Sequence, residues 1–223
     1  MCFVCFRKLE NNIAMKNLIT IVLVISCIST GIGQSKKVGG PCEGCEAIYE
    51  STIPFENLPS FVKLPDVSWD GKKPIGINGI VYKADGKTPA PDVVLYLYHT
   101  NEKGVYPKKG DEKGWAKRHG YLRGWVKTDQ KGAYKFGSLR PAPYPGRDEP
   151  AHIHITVKEP GINEYYIDEF LFSDDPLLTQ ARKDKLENRG GSGIITIVDV
   201  GNMYKGERNI YLGKNIPDYP TQK

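Results

Sequence analysis

Glycine and proline occur so often in this chain that they limit what it can fold into. The 223 residues include 24 Gly and 16 Pro. Both residues interrupt helices, proline because it has no backbone N–H and glycine because its flexible backbone is costly to order. Hydrophobic residues make up 39% of the chain and aromatic residues 10%, which excludes the composition of a disordered chain. We therefore expect one folded domain that is not an all-α bundle.

Short β-prone runs lie between the glycines and prolines. Apolar residues alternate at 75–81, and 93–98 is a continuous run of valine, leucine and tyrosine, so both segments are predicted strands. Residues 124–128 and 133–136 flank a turn at 129–132 and predict a hairpin. The remaining predicted strands are 151–157, 165–172, 193–200 and 209–212. This series predicts an all-β fold, a β-sandwich of about eight strands.

One short helix is predicted after these central strands. Pro176 suits the first helical position, an apolar stripe follows, and Gly190 stops the helix. Residues 46–73 instead mix Pro, Ser, Asp and Gly with scattered apolar residues, which favours an arm laid over the domain. We expect an N-terminal arm at 34–74 and a β-sandwich domain at 75–223.

Residues 1–33 are typical of a signal peptide. Lys16 follows Met15, a candidate for the true start, and precedes the apolar run 18–25, which is short of the roughly 20 residues that a membrane span requires. Small residues at the end of the segment suit cleavage by a signal peptidase. The sequence ending at Cys27 alternatively resembles a lipoprotein box, and lipidation there would attach the protein to a membrane. We expect a secreted, periplasmic or outer-envelope protein.

Two cysteines, Cys42 and Cys45, follow the predicted cleavage site. Two thiolates alone cannot complete a four-ligand zinc site. A thioredoxin-like redox motif has the same Cys-x-x-Cys spacing but lies in a βαβ unit, and the region around these cysteines does not have that pattern. We expect a local disulfide that staples the arm in an oxidising compartment.

The charges of the chain disfavour nucleic acid as a partner. Residues 1–33 carry three of the 31 basic and one of the 26 acidic side chains, so the remaining chain has a net charge of about +3. Basic and acidic residues are interspersed, and the densest basic cluster, Lys108 to Arg118, is interrupted by Asp111 and Glu112. A continuous stripe that tracks phosphates is therefore not expected.

Two of the chain's 4 histidines form the motif His152-Ile153-His154 in a predicted strand. Residues i and i+2 of a strand project from the same face, so both imidazoles point one way and Ile153 points into the opposite layer. This geometry can chelate a metal. An isolated His-x-His pair more often occupies a polar surface, so its neighbours decide the interpretation.

Two tyrosines precede these histidines in predicted loops. Tyr144 lies between Pro143 and Pro145, which stiffen the backbone and hold Tyr144 in an extended conformation. Tyr106 closes a loop that leaves the strand ending at His99. Either tyrosine alone could simply anchor its loop through the hydroxyl.

The order of these motifs resembles that of the intradiol ring-cleavage dioxygenases, the family of protocatechuate and catechol dioxygenases. The resemblance spans roughly residues 75–175 and is carried by the segments 104–106, 123–129, 132–136, 139–145 and 150–154. It implies a non-haem Fe(III) held by two tyrosinates and two histidines. The matching residues are Tyr106, Tyr144, His152 and His154, with Tyr144 and His154 axial.

The resemblance also implies the reaction. A catechol-type aromatic diol chelates the iron and reacts with O2, and its ring is cleaved between the two hydroxyl-bearing carbons to a muconate-type diacid. Tyr144 is displaced in this scheme and carries away substrate protons, which makes it a catalytic residue. A phenol with a pKa of about 10 becomes an anionic ligand only beside a cation, so two tyrosines suit a trivalent metal.

Two positions depart from the family pattern. Glu149 stands three residues before His152, where an arginine beside the substrate is expected, and Glu169 stands where a glutamine is expected. Two carboxylates raise the free energy of an anionic group near the substrate unless Arg140 or Arg147 reaches in. We predict Glu149 and Glu169 as catalytic-site residues and the two arginines as substrate-binding, with solvent-facing glutamates as the alternative.

The loop 108–119 joins basic residues with Trp115 directly after Tyr106. This loop could wall the pocket and attract an anionic aromatic compound, which makes Trp115 a candidate substrate-binding residue. A solvated loop is the alternative, and His119 is expected on the surface.

Two further functions compete with the dioxygenase. A transthyretin-like or carboxypeptidase-regulatory-like β-sandwich that only binds a ligand would show the same strand and turn pattern, but would not bring two tyrosines and two histidines together. A site of two histidines and Glu149 or Glu169 would instead hold Fe(II). The sequence leaves the individual catechol and a homo-oligomeric state open.

Overall fold

A computed structural model describes residues 37–65 and 72–220. The predicted signal peptide at 1–33 lies outside these residues. Within the described part of the chain, no helix has the length and apolar character needed to cross a membrane. The strands are β1 (Phe61–Lys63), β2 (Ile75–Tyr82), β3 (Val94–His99), β4 (Arg123–Lys127), β5 (Ala133–Ser138), β6 (His152–Lys158), β7 (Tyr165–Tyr166), β8 (Phe170–Phe172), β9 (Ile194–Ile195), β10 (Val198–Asp199), β11 (Tyr204–Glu207) and β12 (Ile210–Tyr211). The helices are the 3-10 helices Cys45–Glu50 and Phe55–Asn57 and the one-turn α-helices Ala116–His119 and Gln180–Lys183.

The strands form two six-stranded sheets. The first sheet has the order β1-β5-β2-β11-β10, with β12 also pairing with β2, and the second has the order β4-β3-β6-β8-β9, with β7 also pairing with β6. One hydrophobic core combines side chains of both sheets, such as Ile77 and Phe136 of the first with Leu97 and Ile153 of the second. The predicted all-β sandwich is therefore confirmed.

The outer face of the second sheet is built differently from its inner face. Tyr98 of β3 pairs with His154 of β6, and side chains alternate along both strands. Leu97 and Ile153 are consequently buried in the core with 0% exposure, while Tyr98 and His154 face outward. This outer face carries the aromatic and imidazole side chains from which the site is made.

The arm covers part of this outer face. Its 3-10 helix Cys45–Glu50 buries Ile48 in a second hydrophobic cluster with Val94 and Tyr96. The indole N–H of Trp125 donates to the carbonyl of Ile48 at 2.8 Å. The arm also contributes β1, which pairs in parallel with β5, so regular structure begins before residue 75, contrary to the expectation from the sequence.

The predicted disulfide between Cys42 and Cys45 is present, with 5.7 Å between the two Cα atoms. It closes the turn that leads into the 3-10 helix of the arm. Cys45 is buried, and the hydroxyl of Thr156 on β6 lies 3.9 Å from its sulfur. The disulfide therefore fixes the arm where it meets the second sheet.

The predicted hairpin of 124–128 and 133–136 is wrong. A turn does form, since the N–H of Asp129 donates to the carbonyl of Ala133 at 3.1 Å. However, β4 pairs with β3 in the second sheet and β5 pairs with β2 in the first. Turn residues specify a local reversal of the chain, but the pairing partner is decided by packing across the sandwich.

The predicted helix after Pro176 shrinks to Gln180–Lys183. The carboxylate of Asp175 accepts the N–H groups of Ala151 and Leu177 at 2.8 and 2.9 Å, which holds the start of this segment in a turn. Of the predicted apolar stripe, Leu178 is buried but Ala181 is exposed, so the stripe is not covered along its whole length. The strands predicted at 165–172 and 193–200 each divide into two short strands, and β11 was not predicted.

Candidate metal centre

Strand β6 presents two imidazoles on the outer face of the second sheet. The Nδ1 of His152 lies 2.8 Å from the carbonyl of Pro150, and because a carbonyl only accepts, Nδ1 carries the hydrogen. The Nδ1 of His154 lies 3.6 Å from the carboxylate of Glu169. Both contacts orient the rings so that their Nε2 atoms remain for another partner, as is usual for metal-binding histidines.

The two tyrosine-bearing loops are joined at their bases. The N–H of Ala142 donates to the carbonyl of Asn101 at 3.0 Å. Gly104 has a φ of +72°, and a Cβ on this residue would overlap the carbonyl oxygen of Pro143 and lie 2.9 Å from its carbon. Only glycine allows both this backbone conformation and this close approach. The approach brings the two phenols together.

The four side chains predicted as ligands converge. The hydroxyl of Tyr106 hydrogen-bonds to that of Tyr144 and lies 2.9 Å from Nε2 of His154. The Nε2 of His154 lies 3.3 Å from the hydroxyl of Tyr144 and 3.1 Å from Nε2 of His152. Ligands that each lie about 2 Å from one metal ion are about 3 Å from each other, so these four donor atoms fit a single ion.

The chemistry of the donor set fits a trivalent cation. Burial is the main cause that raises the pKa of Tyr106, and its hydrogen bond with Tyr144 raises it further. Burial also raises the pKa of Tyr144 and lowers that of His152. Without a metal the phenols are thus protonated and His152 is neutral. A strongly charged ion such as Fe(III) supplies what is needed to turn buried phenols into anionic ligands.

A ligand set of histidines and carboxylates is not formed. Among residues 37–65 and 72–220, no group of three or more His, Cys, Asp or Glu side chains is arranged to hold a metal. Glu169 contacts the Nδ1 of His154, on the opposite side of the ring from the converging Nε2 atoms. A metal ion at this place would therefore need the tyrosines as ligands, which disfavours the two-histidine, one-carboxylate Fe(II) alternative.

Tyr98 supports the site from below and was missed in the sequence. Its ring stacks on His154 with 4.5 Å between centroids and on His119 with 3.7 Å. Its signal was its position two residues after Tyr96 in a strand, which places both rings on one face. Tyr98 therefore fixes the plane of one predicted ligand.

His119 and Trp115 lie behind this stack. His119 is only 5% exposed, and its Nδ1 lies 2.9 Å from the hydroxyl of Tyr96, so the expectation of a surface histidine is wrong. Burial, followed by the charge of His154, lowers the pKa of His119 to about 4. Trp115 stacks on His119 at 5.4 Å, and the structure does not bring it to the wall of the cavity beside the ligands.

A cavity of about 490 Å³ opens beside the converging side chains, and Tyr144, His152 and His154 line it. Tyr106 is not among the described lining residues. Tyr144 is therefore the phenol that a molecule in this cavity meets, and its displacement by substrate stays a prediction.

Glu149 and Glu169, the two residues that differ from the family pattern, both line this cavity. They therefore do not point away from it, as the alternative of solvent-facing glutamates required. Burial alone would raise the pKa of Glu169, but its contact with His154 outweighs burial and lowers the pKa to about 2. Glu149 and Glu169 both raise the pKa of Tyr144 through their charge. Two carboxylates and the guanidinium of Arg147 therefore line the same cavity as Tyr144.

The two predicted substrate-binding arginines are placed differently. Arg147 lines the cavity, and its guanidinium lies 5.6 Å from the ring centroid of Tyr144. Arg140 instead forms two hydrogen bonds of 2.7 Å with Asp174 and lies over Phe172. The structure does not bring Arg140 into the wall of the cavity, because Asp174 holds its guanidinium elsewhere.

The protein is a β-sandwich in which two histidines on the outer face of one sheet meet two tyrosines from neighbouring loops. Solved structures of dioxygenases share this fold. The dioxygenase domain of a dioxygenase and carbohydrate-binding fusion protein from Streptomyces sp. SirexAA-E is 23% identical, has a TM-score of 0.51, and the match covers 67% of this chain and 85% of that one. Catechol 1,2-dioxygenase from Acinetobacter sp. ADP1 is 17% identical, with a TM-score of 0.54 and coverage of 93% and 73%. At these identities the likeness shows the fold alone.

The sequence itself shows the family. A family model described as a dioxygenase matches residues 60–188, more than half of the chain, and the chain belongs to the intradiol dioxygenase family. Catechol 1,2-dioxygenase 1 of Acinetobacter lwoffii is 31% identical over 146 residues, which cover 54% of this chain and 46% of that protein. The chain thus matches about half the length of this curated relative. The resemblance recognised in the sequence is confirmed.

Proposed function

We propose that this chain is an Fe(III)-dependent intradiol dioxygenase that cleaves a catechol-type ring between its two hydroxyl-bearing carbons and yields a muconate-type diacid. The observation that carries the proposal is the convergence of the phenol oxygens of Tyr106 and Tyr144 with the Nε2 atoms of His152 and His154. Membership of the family and the cavity beside these atoms support it. A module that only binds a ligand has no need for this convergence.

Fe(III), when bound by these four residues, draws electron density from a catecholate and makes its ring reactive toward O2. The protein's own contribution is to position groups and to move a proton. His152 and His154 are fixed by Pro150 and Glu169. Tyr144 lines the cavity, so its oxygen, which would be deprotonated with Fe(III) bound, would be placed to take a proton from an incoming catechol hydroxyl.

Turnover of unsubstituted catechol tests this function. The iron-loaded chain should consume O2 and form a diacid, and both signals should fall by at least about 100-fold in His154→Ala because a ligand and its ring stack are lost. Tyr144→Phe, measured in the same assay, has a matched control in Tyr82→Phe, since Tyr82 stacks on Tyr211 in the first sheet. An iron-loaded wild-type protein that leaves catechol intact refutes the proposal.

Export of the protein is a further part of the proposal. The disulfide between Cys42 and Cys45 supports an oxidising compartment, and the pattern at 1–33 supports a cleaved signal peptide. Mass spectrometry of the native protein should find a new N-terminus near Gln34 or a lipidated Cys27. An unprocessed chain in the cytosol contradicts export and leaves the catalytic proposal untouched.

A further inference from the structure

We infer that the preferred substrate is a catechol carrying an anionic group at the end of an extended side chain, and that Arg182 and Lys185 select it at the mouth of the cavity. The inference rests on the proposed function and names the substrate class for that site. It is carried by the unequal distribution of charge between the two ends of the cavity.

The inner end of the cavity is acidic. Glu169 lies 3.6 Å from Nδ1 of His154, and Glu149 lines the same wall. The guanidinium of Arg147 lies 5.6 Å from the ring centroid of Tyr144 and offsets one of these two negative charges. A carboxylate attached directly to the catechol ring would be held beside these two glutamates, and like charges at a binding site disfavour the complex.

The outer end of the cavity is basic. Arg182 lines the cavity and pairs at 2.8 Å with Asp148, whose side chain is 90% exposed. Because Asp148 is so exposed and the Arg182 side chain is itself 35% exposed, we place this guanidinium at the mouth of the cavity. Lys185 lines the cavity as well, and within the described ranges no carboxylate lies at ion-pair distance from it.

The cavity wall also contains three leucines. Leu171, Leu178 and Leu186 line the cavity, and they offer an apolar surface to a hydrocarbon linker. The volume of about 490 Å³ lies within the range of about 300–1,000 Å³ that holds drug-sized ligands, so a single diol ring leaves much of it unfilled. This layout suits a catechol whose diol ring lies at the predicted ligands, whose hydrocarbon linker packs on the leucines and whose anionic group reaches the mouth.

Dihydrocaffeate, a catechol whose carboxylate follows two methylene groups, is the probe for this inference. Its dissociation constant is compared with that of its uncharged methyl ester by calorimetric titration of the iron-loaded protein without O2. We expect dihydrocaffeate to bind about fivefold to tenfold more tightly at low salt, and the difference to shrink at high salt because exposed charges are screened. Protocatechuate, whose carboxylate is on the ring, should bind more weakly than catechol.

Three variants locate the cause of this preference. The double variant Arg182→Gln with Lys185→Gln should bind the acid and the ester equally. Lys183→Gln removes one positive charge from the helix that also carries Arg182, but Lys183 does not line the cavity in the described structure, so it should keep the preference. Asp148→Asn frees Arg182 from its partner and should increase the preference.

Equal binding of acid and ester by the wild type, or an equal loss of preference in Lys183→Gln and the double variant, overturns the inference. Cleavage of unsubstituted catechol is measured in parallel. If catechol is cleaved but no preference is found, the anion site is refuted and the proposed function stands. If the iron-loaded protein prefers the acid but cleaves neither dihydrocaffeate nor catechol, the reaction is refuted and the anion site stands.

Discussion

Gly104→Ala tests how the two tyrosine-bearing loops are held together. Gly104 has a φ of +72°, and an added Cβ would overlap the carbonyl oxygen of Pro143 and lie 3.0 Å from Cδ of Pro145. The loop carrying Tyr106 and the segment carrying Tyr144 must therefore separate to admit one methyl group. We expect the variant to lose both stability and affinity for iron.

The magnitude follows from two separable contributions. A side chain in the left-handed region costs about 1–2 kcal/mol, and an extra methyl group in a filled space costs about 1–3 kcal/mol more. Gly146 provides the matched control, because its φ is +71° and nothing lies within 4 Å of its added Cβ. Gly146→Ala should lose only the first contribution, so the two variants should differ by about 1–3 kcal/mol.

Urea unfolding followed by tryptophan fluorescence gives the two free energies of unfolding, and titration with iron gives the affinities. Displacement of one tyrosine ligand should weaken iron binding about 10-fold to 100-fold in Gly104→Ala and leave it unchanged in Gly146→Ala. Equal free energies of unfolding in the two variants would show that the close approach to Pro143 does not hold the loops together.

Three further predictions address the ligands, the charge of the cavity and the dependence of stability on pH. Tyr144→Phe should retain some iron with a shifted visible absorption band, whereas joint replacement of His152 and His154 by alanine should abolish iron binding, as metal analysis would show. Glu149→Arg should reverse the order of kcat/KM so that protocatechuate exceeds catechol, and an unchanged order would mean that Glu149 does not act on the substrate. Burial lowers the pKa of His99 to about 4, below its ordinary value of about 6.5, so its contribution to stability is complete above pH 6.5 and lost as the pH falls through 4. Urea unfolding at a series of pH values should therefore show the free energy of unfolding falling by up to about 3 kcal/mol over that window. His99→Gln should flatten this dependence of stability on pH.

Part of the grouping of these four side chains could be predicted from the sequence because two of its signals are local. The alternation of His152, Ile153 and His154 along a strand fixes which side chains share a face, and the prolines around Tyr144 restrict its backbone. The structure reproduces the alternation, with Ile153 at 0% exposure in the core. The order of the motifs along the chain then pointed to the family.

The surroundings of the site could not be predicted because they depend on how distant segments pack. The hairpin of 124–128 and 133–136 was wrong because strand pairing is decided across the sandwich, where β4 and β5 join different sheets. Trp115 is close to Tyr106 in the sequence but packs behind His119. Arg182 lies on the segment after β8 and pairs with Asp148. No local sequence pattern predicts a contact between such distant residues.

The visible spectrum of the purified chain, recorded together with its metal content, tests the central claim most directly. Phenolates bound to Fe(III) absorb visible light by ligand-to-metal charge transfer, so convergence of Tyr106 and Tyr144 on one ion predicts a coloured protein with stoichiometric iron. Anaerobic addition of catechol should change the band, because Tyr144 lines the cavity and meets the substrate. A protein that remains colourless and free of metal after refolding with iron would contradict the account.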